Sequence, residues 1–147
     1  MSAEALASLD WLVANEIEIA AIASAAGHRN EDPHVAGAAL AAATGIAVIV
    51  TLGSRGAVAY AGGEAWEIGA LPITPVDSTA AGDAFVGTLA AALEAGAALP
   101  AALRRGSVAG ALACLVAGAQ PSLPTRAAVD ARLKELAPAR KVKAGRK

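Results

Sequence analysis

The stretch Val76-Asp77-Ser78-Thr79-Ala80-Ala81-Gly82-Asp83-Ala84-Phe85 decides how the rest of the chain is read. It follows an extended run, Pro72 to Val76, and opens a long apolar helix over Ala80–Ala95. Small residues at Ala80, Ala81 and Gly82 begin that helix. The first N–H groups of a helix have no internal partner and point outward. The macrodipole adds partial positive charge at the same end. Side chains this small let an anion reach those donors, so the segment reads as a phosphate-binding end. Asp83 sits in the first turn, where a carboxylate can take a proton from a hydroxyl while the amides stabilise charge on a transferring group. Plain capping gives the same pattern, with Asp83 merely complementing the dipole, and the segment alone does not decide. No G-x-x-x-x-G-K-[ST] or G-x-G-x-x-G run is present.

Upstream, Asp10 to Ala14 reads as a buried strand that delivers Asn15 and Glu16. Glu16 to Ala26 has helical spacing with Ile17, Ala20, Ala21 and Ile22 on one side. Asp32 and Pro33 supply a cap and first position for a second helix that stops at Gly45. Ile46 to Leu52 is apolar on both faces, as a central parallel strand requires. Gly53 to Gly56 form a turn, and Ala57–Ala61 and Ala65–Ile68 flank Gly62-Gly63 as a hairpin. Downstream, Pro100 to Ala117 reads as a helix and Gly118 to Pro124 as a loop. A last amphipathic helix starts at Thr125, carries Val129, Leu133 and Leu136, and ends at Pro138. The order of elements is α/β.

The 147 residues suit one domain. Hydrophobic residues make up 56% but aromatics only 3%, so the core is built from Ala, Val, Leu and Ile. The net charge of -1 gives no field that steers the chain to nucleic acid or membrane. Arg140, Lys141, Lys143, Arg146 and Lys147 put positive charge into a short end, expected to be a disordered basic tail over 140–147. Uncharged runs at Val35–Ser54 and Gly106–Thr125 have spanning length, but Gly45 splits one, and Pro121 and Pro124 break the other. The single Cys114 excludes an internal disulfide and is expected in the core. A cytoplasmic location is expected. His28 and His34 make no zinc site.

Taken together, four segments resemble the ribokinase and phosphofructokinase-B family of carbohydrate kinases. Asp77 to Asp83 is similar to its D-[ST]-x-[GA]-A-G-D signature. Asn15-Glu16-Ile17-Glu18 resembles N-x-x-E. Thr51-Leu52-Gly53-Ser54-Arg55-Gly56 resembles T-L-G-x-x-G, and Gly118-Ala119-Gln120-Pro121-Ser122 resembles the G-A-Q-P-S of ribokinases. The resemblance implies a ribokinase-like three-layer α/β/α fold over 1–139. It implies ATP-dependent phosphorylation of a sugar hydroxyl, with Asp83 as base and Ala80, Ala81 and Gly82 as anion hole. Asn15 and Glu18 would organise magnesium and phosphates, and Thr51 to Gly56 would wall the ATP site. Ser107 falls at a position lining the adenine. Asp77, Thr79, Ala113, Val116, Gly118 and Ser122 match positions around a monovalent cation, usually potassium.

Family members carry a sugar-binding half and lid before the N-x-x-E strand, and nothing here matches them. The expectation is a truncated fold whose sheet ends in an open edge. A separate chain supplying that half, or self-association through the edge, would cover it. A non-catalytic nucleotide-binding relic and an interaction protein are the competing readings. A fructokinase- or nucleoside-kinase-type member of the same family is a further alternative, and ribose is favoured only through Ala80-Ala81 and Gly118–Ser122.

Overall fold

The computed structural model describes residues 5, 6, 8–28 and 32–143. The chain divides into two compact units. One comprises Met1–Gly53, Ala57–Glu67 and Lys141–Lys147, the other Ser54–Gly56 and Ile68–Arg140.

The first unit is built on a sheet of order β1-β2-β3-β4-β5, with β1 Trp11–Asn15, β2 Ala47–Thr51, β3 Ala57–Ala61, β4 Glu64–Ile68 and β5 Arg140–Val142. β1 and β2 are parallel, Leu12 opposite Val48 and Asn15 opposite Thr51. β2 and β3 are antiparallel, Val50 opposite Val58. The sheet is therefore mixed, whereas the apolar run at 46–52 suggested a purely parallel environment. The reason is the connection: residues 52–56 are too few for the crossover that parallel neighbours need.

Helices α1 (Glu16–Ala25) and α2 (Pro33–Thr44) belong to this unit. Asp32 caps α2 by accepting from the His34 and Val35 amides, Pro33 takes the first turn, and Gly45 ends the helix in the left-handed region. Gly37 brings α2 close to the sheet: a Cβ there would lie 2.8 Å from Val50 Cγ2 and 3.0 Å from Tyr60 Cε2. Tyr60 is buried beneath it, and that burial pushes its phenol up to about 12. The core joins Leu12, Val48, Val50 and Leu52 to Ile19, Ala23, Ala36 and Leu40. α1 turns Ile19 and Ala23 inward, an i, i+4 pair, and leaves Ile17 83% exposed, contrary to the face read from spacing. Trp11, on the outermost strand β1, is 39% exposed.

The expected disordered tail differs at its start, since Arg140–Val142 form β5 beside β4. The Lys141 ammonium pairs with the Glu64 carboxylate on that neighbouring strand. Residues 144–147 lie outside the described residues.

The second unit is helical: α3 Ala81–Glu94, α4 Leu99–Ala113, α5 Ala119–Ser122 and α6 Arg126–Arg132. Glycines on α4 let it press on α3. A Cβ at Gly106 would lie 3.1 Å from the Phe85 carbonyl oxygen, and one at Gly110 3.1 Å from that of Ala81. α4 ends at Ala113, not Ala117, because the Cys114 carbonyl turns to accept the Val76 and Asp77 amides at 2.8 and 3.2 Å. Cys114 is half-buried rather than in the core. The expected loop at 118–124 contains the single turn α5. Thr125 caps α6 through the Ala128 amide. The helix then tightens to a 3₁₀ turn at Leu133–Glu135. There Arg104 takes over the end carbonyls, donating to Leu133 O at 2.6 Å and Leu136 O at 2.7 Å. Among the described residues no helix is long and apolar enough to cross a membrane.

Candidate functional site

In the second unit, the segment 77–83 bends sharply before it becomes helical. Ala80 occupies the left-handed region at φ 63°, the only non-glycine among the described residues to do so. An L-residue pays roughly 1 kcal/mol or more there, and alanine is among the smallest that can. No side chain caps the helix that follows. The Ala81 amide donates to Ser78 O at 3.2 Å, and the Ala84 amide to Ala80 O at 2.9 Å. The amides of Gly82 and Asp83 between them have no acceptor among the described residues. Of the three residues read as an anion hole, Ala81 therefore has its donor partly engaged, while the amides of Ala80 and Gly82, and that of Asp83 beside them, have no acceptor among the described residues.

Gly82 faces open space, since an added Cβ would meet nothing within 4 Å. Packing does not demand a glycine here. Asp83 is exposed, and its carboxylate makes no hydrogen bond or ion pair with the described residues. Two unengaged amides, empty space and an unengaged carboxylate thus occupy one helical turn. Such a turn can receive an anion and hold a proton acceptor next to it.

Asp77 is placed differently. Oδ1 accepts from the Thr79 amide at 2.9 Å and Oδ2 from the Gly118 amide at 2.9 Å. Thr79, Gly118 and the Thr79 side chain hold its carboxyl down to about 2, the Thr79 side-chain bond contributing most. Burial, then the Asp77 charge, pushes the neighbouring Cys114 thiol up. A carboxyl lowered on folding stabilises the fold at pH above its ordinary 3.8, and that contribution disappears as pH falls toward about 2. Acid unfolding of the wild type should therefore steepen in this window. Asp77→Asn should flatten that part of the curve when stability is followed from pH 5 downward.

The remaining cation candidates differ in exposure and in what their polar atoms meet. Ser122 is buried and its hydroxyl donates to Ala119 O at 2.7 Å, which leaves its lone pairs available. Ala113 is fully buried, so only its backbone can take part, and Val116 is 45% exposed. These are oxygen donors, the kind that replace the hydration shell of a monovalent cation. Ser107 is buried and donates to the Gly69 carbonyl at 2.6 Å, so its hydroxyl is already committed inside the unit.

The other nucleotide candidates lie elsewhere along the chain. Thr51 closes β2, Leu52 is buried, and Gly53, Ser54 and Arg55 form a 3₁₀ turn. Gly56 follows at φ 92°. In the first unit Asn15 and Glu18 form a reciprocal cap on α1. Asn15 Oδ1 accepts from the Ile17 and Glu18 amides at 3.0 and 2.9 Å, and Glu18 Oε2 accepts from the Asn15 amide at 2.9 Å. Such a cap is worth about 1 kcal/mol. The spacing of the two residues announced it, since an N-cap residue followed three positions on by Glu is the capping-box pattern. The Cys114 carbonyl and Arg104 had no comparable signal, because their partners are far away in sequence. Among the described residues no three His, Cys, Asp or Glu side chains gather as a metal site.

Comparison with known proteins gives the family and the fold. Residues 1–126 match the model of the pfkB family carbohydrate kinases. The chain belongs to the pfkB family of carbohydrate kinases, and its fold is the ribokinase-like α/β fold. A ribokinase of Haemophilus influenzae is 34% identical over 127 residues, which are 86% of this chain and 41% of that protein. The crystal structure of ribokinase from Thermotoga maritima superposes with a TM-score of 0.85 at 33% identity, covering 91% of this chain and 45% of the other. Arabidopsis thaliana ribokinase, complexed with ribose and ATP, gives 0.80 at 33% identity, covering 90% and 43%. The chain thus spans less than half the length of each of these relatives.

Proposed function

We propose that this chain carries the ATP-binding and phosphoryl-transfer machinery of a ribokinase-type sugar kinase. The observation that carries the reading is the turn at Ala80–Asp83, where the Gly82 and Asp83 amides and the Asp83 carboxylate have no partner among the described residues and the space beside Gly82 is open. In this reading the amides hold the phosphoryl group and Asp83 takes the proton of the sugar hydroxyl. Positioning and electrostatics then supply most of the rate. Thr51, Leu52, Gly53, Ser54, Arg55 and Gly56 contribute to holding the nucleotide, and Ser107, its hydroxyl engaged by the Gly69 carbonyl, contributes shape alone.

Magnesium bound with ATP would neutralise phosphate charge and keep several of its waters. Asn15 and Glu18 are assigned to ordering those waters. Their cap uses one Glu18 oxygen, so the other stays available for that task. Asp77, Thr79, Ala113, Val116, Gly118 and Ser122 are assigned to a potassium ion, largely through backbone carbonyls. In a second reading this chain binds nucleotide without turning over sugar by itself. A separate chain, or a second copy at the β1 edge, would then be the partner.

Titration with magnesium-ATP tests the reading at Gly82. Gly82→Ala should leave the fold intact, because the space is open and alanine suits a helix better by about 0.5–1 kcal/mol. In this reading the added methyl crowds an anion approaching those donors, and nucleotide binding should weaken by about tenfold, the loss of one charge-assisted hydrogen bond. Wild-type amide shifts that leave Gly82 and Asp83 untouched on adding ATP would remove the phosphate-binding assignment. A sugar-panel kinase assay, with and without a supplied sugar-binding half, separates the two readings.

A further inference from the structure

Asp77 reaches beyond its own turn. Its two carboxylate oxygens accept from Thr79, two residues on, and from Gly118, 41 residues on. Behind it, the Val76 and Asp77 amides both end on the Cys114 carbonyl. Residues 76–79 are thereby tied to the end of α4 and to the Gly118 turn. Ala80 comes immediately afterwards, in the left-handed region and without a side-chain cap on the helix it opens. A strained turn persists only when its surroundings over-determine it. Among the described residues, the carboxylate of Asp77 is the one side chain that joins this turn to another segment by a hydrogen bond.

We propose that Asp77 is a positioning residue whose carboxylate clamps the 77–80 turn onto the Gly118 turn and so fixes where the Gly82 and Asp83 amides point. This task belongs to the side chain and needs no bound cation, so it is separate from any carbonyl ligation of potassium. Its bearing on phosphate rests on the function proposed above.

The test compares wild type with Asp77→Asn and Asp77→Glu of this chain, in potassium and in tetramethylammonium buffers. Amide hydrogen exchange and amide chemical shifts are read without nucleotide, and magnesium-ADP affinity is read afterwards. Asparagine offers a single acceptor oxygen where the carboxylate offers two. Exchange at Gly118 should therefore accelerate at least about tenfold in both buffers, as loss of a charge-assisted hydrogen bond implies. The Gly82 and Asp83 amides should shift before any nucleotide is added, and magnesium-ADP affinity should then fall by a similar factor in either buffer. If the asparagine variant does not fold, the glutamate variant, with both acceptors displaced by a methylene, is read by the same signals. Unchanged Gly118 exchange, or unmoved Gly82 and Asp83 amides, overturns the proposal. An effect confined to potassium also overturns it, by making the carboxylate a cation ligand. Should the wild type take up no magnesium-ADP, the phosphate reading fails, and the clamp is decided by the nucleotide-free amides alone.

Discussion

Replacing Asp83 by asparagine is expected to lower phosphoryl transfer by about a hundred- to ten-thousand-fold, the usual contribution of a positioned general base. The fold should hardly notice. Asp83 is exposed and touches no polar partner among the described residues, so its removal orphans nothing. Its only structural contribution is a negative charge in the first turn of α3, about 0.3–1 kcal/mol against the dipole. Asparagine keeps the shape and the space in front of Gly82 but cannot accept a proton. Turnover and stability should therefore separate cleanly. ATP affinity should stay the same or rise slightly, since a carboxylate beside phosphate repels it. The measurement is transfer from ATP to a sugar hydroxyl, wild type and variant being assayed with the same supplied sugar-binding half. Turnover that survives both Asp83→Asn and Asp83→Ala would leave the carboxylate without a catalytic task.

Local rules carried most of what could be read in advance. Asp32-Pro33 at one end of α2 and Gly45 at the other act through their own neighbours, so they mark that helix in any context. The β-branched run at 47–51 is a strand for the same reason. What the pattern could not reveal depends on partners far along the chain. The direction of β3 was hidden in a connection length, and the inward face of α1 in what Ile19 and Ala23 meet. The end of α4 depends on two amides from residues 76 and 77. At the candidate site the motif named the residues but not their states. Nothing in D-S-T-A-A-G-D says that the Ala81 amide is engaged while that of Gly82 is open, or that Asp77 turns both oxygens to backbone donors. Asn15 and Glu18, which the proposal assigns to magnesium, form a helix cap in the structure, a second task that the motif's letters do not separate from the first.

Gly56→Ala should be strongly damaging to the fold, and its contrast with Gly82→Ala shows what the geometry adds to the motifs. Both glycines belong to signature segments, and as letters they are equivalent. At Gly56 the backbone sits at φ 92°, and an added Cβ would fall 1.9 Å from the Ile68 carbonyl oxygen and 2.6 Å from the Gly69 carbonyl carbon. Those neighbours are backbone, so no rotamer change can relieve the overlap. Either the turn or the Ile68–Gly69 segment has to move, and the left-handed conformation adds roughly 1–2 kcal/mol of its own. A loss of about 3 kcal/mol or more is expected, a large part of the roughly 5–15 kcal/mol that holds a domain together. For a chain of this size that corresponds to a melting point lower by about 10 °C. Gly82→Ala, with nothing near its Cβ, should melt at or slightly above the wild-type temperature while binding nucleotide less well. Thermal melts of the two variants side by side decide the matter. If Gly56→Ala melts with the wild type, the turn at Gly53–Gly56 does not have the backbone described, and its place in the nucleotide loop loses its structural basis. If the expected pair of results appears, one glycine is held by the fold and the other is left for a ligand.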